Sequence, residues 1–190
     1  MPELDGVRVV RSKIHGYGLV AIRPFKAGEV LVYGDGFLYH EDDDFDDTYA
    51  LVYSDEQDTT SEPNRYYDLT DQTRWINHAC GPNSEVTTSL NPITREPIAW
   101  WTAVRDISVG DEVTYDYAFS GHLAEVCNCK NSACIGLIVD PSELDDVPDA
   151  LKGQIDYSRV EARKQQIQLA DLRTSKSPGI SPSFGAAPTA

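Results

Sequence analysis

The sequence predicts a single, loop-rich and mainly β domain with a helical appendage near its C-terminus. Short runs of β-branched and aromatic residues are separated by turn residues, and the 190-residue chain contains 13 Gly and 11 Pro. Runs bounded in this way are typical of short strands. A chain of this length can bury one hydrophobic core but is too short for two ordinary domains and a linker. We therefore expect one domain with appendages.

The candidate strands are short apolar or aromatic runs that end at turn residues. They cover residues 7–10, 29–33, 49–53, 65–69, 85–90, 98–104 and 112–119. The segments 85–90 and 98–104 alternate around a turn at 91–94, which predicts a hairpin, with Trp100 and Trp101 adding bulk to the core. In the strand 112–119, Tyr115 and Tyr117 point to the same side. Two phenols on one strand face also occur in ordinary cross-strand packing.

In the C-terminal part of the chain, the spacing of the apolar residues becomes that of a helix. Residues 141–172 have the apolar spacing of a helix, although Gly153 weakens its first part. The candidate apolar positions are Leu151, Ile155, Val160, Ile167 and Leu169. Residues 173–190 are rich in Ser, Pro, Gly and Ala, which predicts a disordered tail.

The chain is strongly acidic, which bears on its partners. It has 31 acidic and 16 basic side chains, a formal net charge of −15. Such a surface repels nucleic acid phosphates and attracts cationic partners, so we expect a lysine-containing basic protein or peptide and no direct nucleic acid binding. Acidity that merely aids solubility is the simpler alternative.

No segment has the character of a membrane span or a secretory signal. The sequence contains no long apolar run, and its N-terminus MPELDGVRVV has no basic region followed by a hydrophobic stretch. We expect a soluble, intracellular protein with no membrane partner, and cytoplasmic and nuclear locations are not distinguished. The oligomeric state is left open.

The stretch 74–83, RWINHACGPN, concentrates the chemistry of the chain. An amide, an imidazole and a thiol fall at Asn77, His78 and Cys80, and a Gly-Pro-Asn run then breaks the backbone. A capped turn with one buried cysteine is the simpler alternative.

The cysteines form a candidate metal site. Cys127, Cys129 and Cys134 have the spacing C-x-C-x4-C, and the only other cysteine in the sequence is Cys80. Three thiols within eight residues, in a chain without a secretory signal, indicate metal ligands sooner than disulfides. A structural zinc site takes four ligands, so Cys80 would complete it and pin the C-terminal cysteines against the central stretch.

Four motifs in fixed order, followed by the cysteine cluster, carry a family resemblance. They are Gly16-Tyr17-Gly18, Tyr33-Gly34-Asp35, the stretch 77–83 (NHACGPN) and the stretch 110–117 (GDEVTYDY). Over about residues 7–137 the chain resembles a SET-domain protein lysine methyltransferase with a post-SET zinc knuckle. The resemblance implies small curved β-sheets around a pseudoknot, and a division into a SET domain (1–120, with a variable insert at about 41–64), a zinc knuckle (121–140), a helical segment (141–172) and the tail.

The resemblance also implies the roles of individual residues. S-adenosylmethionine would lie against residues from the first and third motifs, and one structural zinc ion would be bound by the four cysteines. The cofactor residues would be Gly16, Tyr17, Gly18, Arg74, Asn77 and His78. Tyr117 would be the catalytic tyrosine, Tyr33 would line the lysine channel, and Tyr115 would favour monomethylation. The acidic insert would form one wall of a groove for a histone or another lysine-rich protein.

Two other hypotheses remain at this point. The chain could be a noncatalytic SET-like binding or scaffolding module that keeps its zinc knuckle. It could also be a zinc protein of unrelated fold, although that requires the ordered motifs to coincide by chance. Retention of Tyr33, Asn77, His78 and Tyr117 together favours the enzyme.

Overall fold

The described residues form short strands and helices in a mainly β arrangement. A computed structural model describes residues 5–54, 65–91 and 94–174, with side chains to residue 169. The strands are β1 Val7–Arg11, β2 Tyr17–Ala21, β3 Val30–Gly34, β4 Gly36–His40, β5 Ala50–Tyr53, β6 Arg65–Leu69, β7 Asn77–His78, β8 Ser84–Leu90, β9 Pro97–Ala103, β10 Thr114–Tyr115, β11 Glu125–Val126 and β12 Leu137–Ile138. The α-helices are α1 Asp149–Lys152 and α2 Tyr157–Thr174. The predicted mainly β fold class is confirmed.

These strands pair in several small sheets rather than one large one. Two are three-stranded, with orders β3-β9-β8 and β4-β6-β5, and three are two-stranded, β1-β2, β7-β10 and β11-β12. The β7–β10 pair is parallel, and the other pairs are antiparallel. Small sheets expose many edges, so side chains and turns must satisfy much of the backbone.

The predicted hairpin is present as β8 and β9, with a register that runs from Ser84 opposite Ala103 to Leu90 opposite Pro97. Trp101 is fully buried, whereas Trp100 on the opposite face is only half-buried. This is the alternation expected of a strand with one face on the core. β3 pairs with the other edge of β9 and places Val32 opposite Trp101.

The predicted strand 112–119 is wrong in its extent. Only Thr114–Tyr115 pairs as a strand, and Ala118 adopts a left-handed backbone with φ of 47°. Side chains replace the ladder beyond Tyr115: the Tyr117 N–H donates to His78 Nδ1 at 3.2 Å and the Ala118 N–H donates to Asp116 Oδ1 at 3.3 Å. The chain therefore turns where the sequence pattern predicted that it would continue.

The predicted helix 141–172 is interrupted. A single 3-10 turn, Leu144–Asp146, precedes α1, and α2 begins only at Tyr157. Pro148 comes directly before α1 and Gly153 directly after it, which explains the interruption. α2 ends at Thr174, inside the predicted tail, and residues 175–190 lie outside the described residues, as do residues 55–64 of the predicted insert.

Two hydrophobic clusters hold the described chain together. The larger contains Leu19, Phe25, Ile76, Trp101 and Val113 among its buried residues. The smaller lies in the C-terminal part, and its members are Ala124, Ile135, Leu137, Val139, Val147, Ile155 and Val160. Of the apolar positions predicted for the helix, Ile155 and Val160 are buried here and Leu151 packs against the cluster, whereas Leu169 is exposed. The C-terminal segment thus folds with the cysteine region.

Within the described chain, the helices are too short or too polar to cross a membrane.

The turn after β11 and before β12 depends on Gly136. Its φ is 93°, and a Cβ built there would lie 2.1 Å from the carbonyl oxygen of Gln154. Gly110 has a similar φ of 90° but has nothing within 4 Å of its Cβ position. Alanine substitutions at these two positions therefore distinguish the cost of backbone strain, which both share, from the cost of a steric clash, which only Gly136 has.

We expect Gly136→Ala to lower the free energy of unfolding by about 3 kcal/mol or more, because it combines a left-handed backbone with a clash against backbone. Gly110→Ala should cost only about 1 kcal/mol, from strain alone. Urea unfolding followed by circular dichroism measures both. Equal costs for the two variants would contradict the close approach of Gln154.

Candidate active site

The central stretch enters the site from a short capped turn. The 3-10 helix Gln72–Trp75 begins after Asp71, whose carboxylate accepts the Thr73 N–H at 2.9 Å. Aspartate at this position satisfies an amide that the helix itself leaves unpaired. The chain then extends into β7, where Asn77 and His78 are both buried.

Asn77 joins the central stretch to the Gly16-Tyr17-Gly18 turn. Its Nδ2 lies 2.7 Å from the carbonyl oxygen of Tyr17, 3.2 Å from that of His15 and 2.9 Å from Oε1 of Glu112. A Cβ on Gly18 would lie 2.2 Å from Glu112 Oε1, so only glycine permits this approach without a shift. The structure therefore brings together four predicted cofactor residues, Gly16, Tyr17, Gly18 and Asn77.

Arg74 and Trp75 lie in an aromatic cluster beside that turn. The Arg74 guanidinium is 4.1 Å from the centre of the Tyr49 ring and 5.5 Å from that of Trp75. Trp75 in turn contacts Tyr17 at 5.6 Å and Tyr49 at 5.3 Å between ring centroids. Among the described residues, the buried Nε of Arg74 has no hydrogen-bond partner. Tyr49 and Trp75 were not among the predicted site residues.

His78 connects the tyrosines to the cysteines. Its Nδ1 accepts the Tyr117 N–H at 3.2 Å, and its Nε2 lies 3.3 Å from Cys80 Sγ. Burial lowers the pKa of His78, which favours the neutral ring. With Nδ1 as an acceptor, the proton resides on Nε2 and is donated to the sulfur. The side chain of this predicted cofactor residue thus orients Tyr117 and Cys80.

Tyr117 is held by the backbone of the central stretch. Its hydroxyl donates to the Ile76 carbonyl oxygen at 2.8 Å, and its ring lies 4.7 Å from that of Tyr115 and 5.5 Å from that of His78. Burial is the main cause that raises the pKa of Tyr117, and burial followed by the neighbouring Tyr117 raises that of Tyr115. Both phenols therefore stay protonated at neutral pH.

Tyr33 lies on the β3-β9-β8 sheet, whereas Tyr115 is in β10 and Tyr117 follows that strand. Tyr33 is opposite Trp100 in the β3–β9 pair and 39% exposed, and partial burial raises its pKa. The neighbouring position in β9 is Trp101, whose ring packs edge-on against Tyr115 at 6.0 Å. Tyr115 thus packs against the Trp101 face of this sheet, whereas Tyr33 lies with Trp100 on the opposite face.

The four cysteines come together as one cluster. The sulfur atoms of Cys80, Cys127, Cys129 and Cys134 all lie within 4.8 Å of one another. The Cys80 N–H points to Cys129 Sγ at 3.5 Å, and the Gly136 N–H points to Cys134 Sγ at 3.3 Å. Hydrogen bonding with the Cys127 and Cys129 thiols, with burial, raises the pKa of Cys80. A bound cation would oppose that effect, and the cluster could hold a metal ion.

Sequence reasoning missed Arg163 of α2. This side chain is buried and donates to both the Cys80 carbonyl oxygen and the Asp116 carboxylate. Gln166, on the same helix, lies 3.4 Å from the same carbonyl. The helical prediction considered apolar positions only, although Arg163 is three residues after the buried Val160 and so lies on the same helix face.

Comparison with known proteins identifies the family. The SET domain model matches residues 16–118, more than half of the chain. This chain belongs to the SET domain family. The matched range contains the predicted cofactor residues, the three candidate tyrosines and Cys80, whereas Cys127, Cys129, Cys134 and α2 lie beyond it.

The SET domain chain is similar to several proteins named as histone-lysine methyltransferases. It is 30% identical over 154 residues to "Histone-lysine N-methyltransferase trithorax" of Drosophila virilis, which covers 68% of this chain and 4% of that protein. It is 26% identical over 144 residues to "Histone-lysine N-methyltransferase, H3 lysine-4 specific" of Yarrowia lipolytica, covering 70% and 12%. It is 40% identical over 65 residues to "Probable histone-lysine N-methyltransferase set-23" of Caenorhabditis briggsae, covering 32% and 26%. The chain thus spans about a quarter or less of the length of these relatives.

The cysteine cluster generates a prediction about metal content. We expect about one metal ion per chain in the purified protein and a loss of most of it in Cys134→Ser, because a closed site needs four ligands. Asn128→Ser is a matched control, since Asn128 is exposed in the same loop and lies outside the thiol cluster. Elemental analysis by mass spectrometry measures the ratio. Metal-free wild-type protein with four reduced, accessible thiols would contradict a metal site.

Proposed function

We propose that this SET domain is an S-adenosylmethionine-dependent protein-lysine N-methyltransferase that acts on a basic protein such as a histone. The observation that carries the proposal is the position of Tyr117. Its half-buried, protonated hydroxyl is fixed on the Ile76 carbonyl, one residue before the Asn77 amide that binds the Gly16-Tyr17-Gly18 turn. This position supports a role for the Tyr117 hydroxyl in orienting an amine beside the residues proposed for the cofactor.

The residues present fit the cofactor. Gly16, Tyr17, Gly18, Arg74, Asn77 and His78 are proposed to hold it. The buried Arg74 Nε, which has no partner among the described residues, is a donor available to a polar group of a ligand. Tyr17 is 42% exposed, with the Arg11 guanidinium 4.3 Å from the centre of its ring and Trp75 beside it. When bound, S-adenosylmethionine supplies an electrophilic methyl group on a positively charged sulfur.

The tyrosines suit a reaction that needs a neutral, aligned amine. Free lysine has a pKa of about 10.4, so it must lose a proton before its lone pair can attack. A buried aromatic site disfavours the ammonium form by desolvation. Because burial raises the pKa of both Tyr115 and Tyr117, these phenols act as neutral hydrogen-bonding groups rather than as bases. Their contribution is orientation of the amine.

The cysteine cluster fits zinc. A tetrahedral zinc–thiolate site with bonds of about 2.3 Å has sulfur–sulfur separations of about 3.8 Å. Cys80 Sγ and Cys127 Sγ are 3.8 Å apart, and all four sulfur atoms lie within 4.8 Å of one another. We propose that zinc bound by Cys80, Cys127, Cys129 and Cys134 orders the C-terminal part against the central stretch.

Charge and similarity together support a basic substrate. The net charge of −15 attracts cationic segments, and the described acidic residues 41–44, 46 and 47 of the insert are exposed. The names of the relatives specify histone lysines. We propose a histone or another lysine-rich protein as substrate, and an intracellular site of action.

The decisive experiment uses labelled S-adenosylmethionine with core histones and with a histone-free cell lysate, in parallel for wild type and Tyr117→Phe. We expect label on a histone lysine, and a reduction of about 100-fold or more in Tyr117→Phe because the orienting hydroxyl is lost. Scintillation counting measures the rate, and mass spectrometry locates the lysine.

The outcomes separate the possible functions. Label only in the lysate would retain the enzyme but exclude core histones as its substrate. Absence of label together with absence of S-adenosylhomocysteine binding, measured by thermal shift, would contradict the proposal and favour a noncatalytic SET-like binding or scaffolding module.

Tyr115 is proposed to limit the reaction to monomethylation. Its hydroxyl would hold a water molecule where a bulkier methylated amine would need space, so Tyr115→Phe should shift the product towards dimethyl-lysine. Mass spectrometry of a peptide methylated to completion measures the product state. Abundant trimethyl-lysine from the wild type would contradict this role.

A further inference from the structure

Arg163 makes a long-range polar link between α2 and the site. The side chain is 3% exposed although it lies on α2, outside the range matched by the SET domain model. Its Nη1 donates to the carbonyl oxygen of Cys80, and its Nη2 donates to Oδ2 of Asp116. One guanidinium thus bridges the central stretch and the segment that carries the candidate catalytic tyrosine.

The second oxygen of Asp116 shapes the backbone at Tyr117. Asp116 Oδ1 accepts the N–H of Ala118 at 3.3 Å, and Ala118 has a left-handed backbone with φ of 47°. A non-glycine residue adopts that conformation only when its surroundings favour it. The Asp116 carboxylate therefore stabilises the turn that directs the chain away from β10 immediately after Tyr117.

The identity of the cation matters here. A guanidinium is planar and can donate in two fixed directions at once, whereas an ammonium is a point charge on a flexible stem. Arg163 uses two nitrogens on two different segments, so lysine at this position could not reproduce both bonds with the same geometry. Removal of the arginine would leave the Asp116 carboxylate without its cation and the buried Cys80 carbonyl with only the longer contact to Gln166 at 3.4 Å.

We infer that Arg163 is a positioning residue for methyl transfer: through Asp116 and the Ala118 turn it fixes the backbone from which Tyr117 presents its hydroxyl. This inference rests on the proposed function. It assigns to α2 a role in the rate of the reaction, in addition to its packing on the C-terminal cluster through Val160. Arg163 does not itself contact the reacting atoms in this assignment.

The test compares Arg163→Met, Arg163→Lys and Lys164→Met in the full chain. Lys164 is the matched control, because it is the next residue on α2 and its ion pair among the described residues is a 3.9 Å surface contact with Glu161. We expect kcat to fall about 10- to 100-fold in Arg163→Met, since small misplacements of a catalytic group have effects of that size. Arg163→Lys should be intermediate, and Lys164→Met should match the wild type within about twofold.

Three further readouts distinguish positioning from loss of structure. Metal content, S-adenosylhomocysteine binding and KM for S-adenosylmethionine should stay near the wild-type values in both Arg163 variants. Hydrogen exchange should accelerate at the amides of Tyr117 and Ala118 in Arg163→Met but not in Lys164→Met. This last measurement does not depend on activity. If Arg163→Met does not fold, the same test is made with Arg163→Lys, for which we expect a lower kcat and faster hydrogen exchange at Tyr117 and Ala118 than in the wild type.

Two results with an active wild type would overturn the inference alone. One is an Arg163→Met kcat equal to that of the wild type; the other is a loss of activity that follows loss of metal or of S-adenosylhomocysteine binding, which would make Arg163 merely structural. A wild type that methylates neither substrate pool would instead overturn the proposed function, and this inference with it.

Discussion

The hydrogen bonds between the central stretch and the segment 112–117 are the interaction on which the rest of the site depends. β7 and β10 are only two residues long each, so their ladder alone is small. Asn83 extends it: its Oδ1 accepts the Thr114 N–H at 2.8 Å, and its Nδ2 donates to the Glu112 carbonyl at 2.8 Å. Each of these groups would cost about 1–3 kcal/mol if buried without a partner. Side-chain amides thus replace the long strand pairing that a larger sheet would provide.

The shortness of the β7–β10 ladder explains why the residues of the site are polar and buried. Asn77 binds the glycine turn, His78 accepts from Tyr117, and the Ile76 carbonyl accepts the Tyr117 hydroxyl. Three consecutive residues therefore contact both the proposed cofactor residues and the proposed catalytic residue. A change in the path of this short stretch would displace the proposed cofactor residues and Tyr117 at once, so the two proposed roles depend on one backbone segment.

Local patterns in the sequence predicted the fold class, the β8–β9 hairpin and the joining of Cys80 to the other three cysteines. Each of these follows from alternation, turn residues or ligand number, which are visible in short windows. The end of β10 at Tyr115 was not predictable, because it depends on a bond from the Tyr117 N–H to a histidine 39 residues earlier. Arg163 was missed for the same reason: its partners are 83 and 47 residues away, and a single buried arginine has no periodic signal. The chemical roles of the site residues remain predictions.

The C-terminal cluster is small, and small hydrophobic cores need additional links to be stable. Here the links converge on Cys80. Its Sγ lies among the other three sulfurs, its N–H points to Cys129, and its carbonyl accepts from Arg163. Gly81 follows, and a Cβ there would lie 2.4 Å from the Asn131 side chain, so the cysteine loop packs directly on the central stretch. All three polar atoms of Cys80 thus bind the C-terminal part, while His78, two residues earlier, binds Tyr117. Order in the cysteine cluster and α2 is therefore transmitted to Tyr117 through the backbone from His78 to Cys80, in parallel with the contact between Arg163 and Asp116.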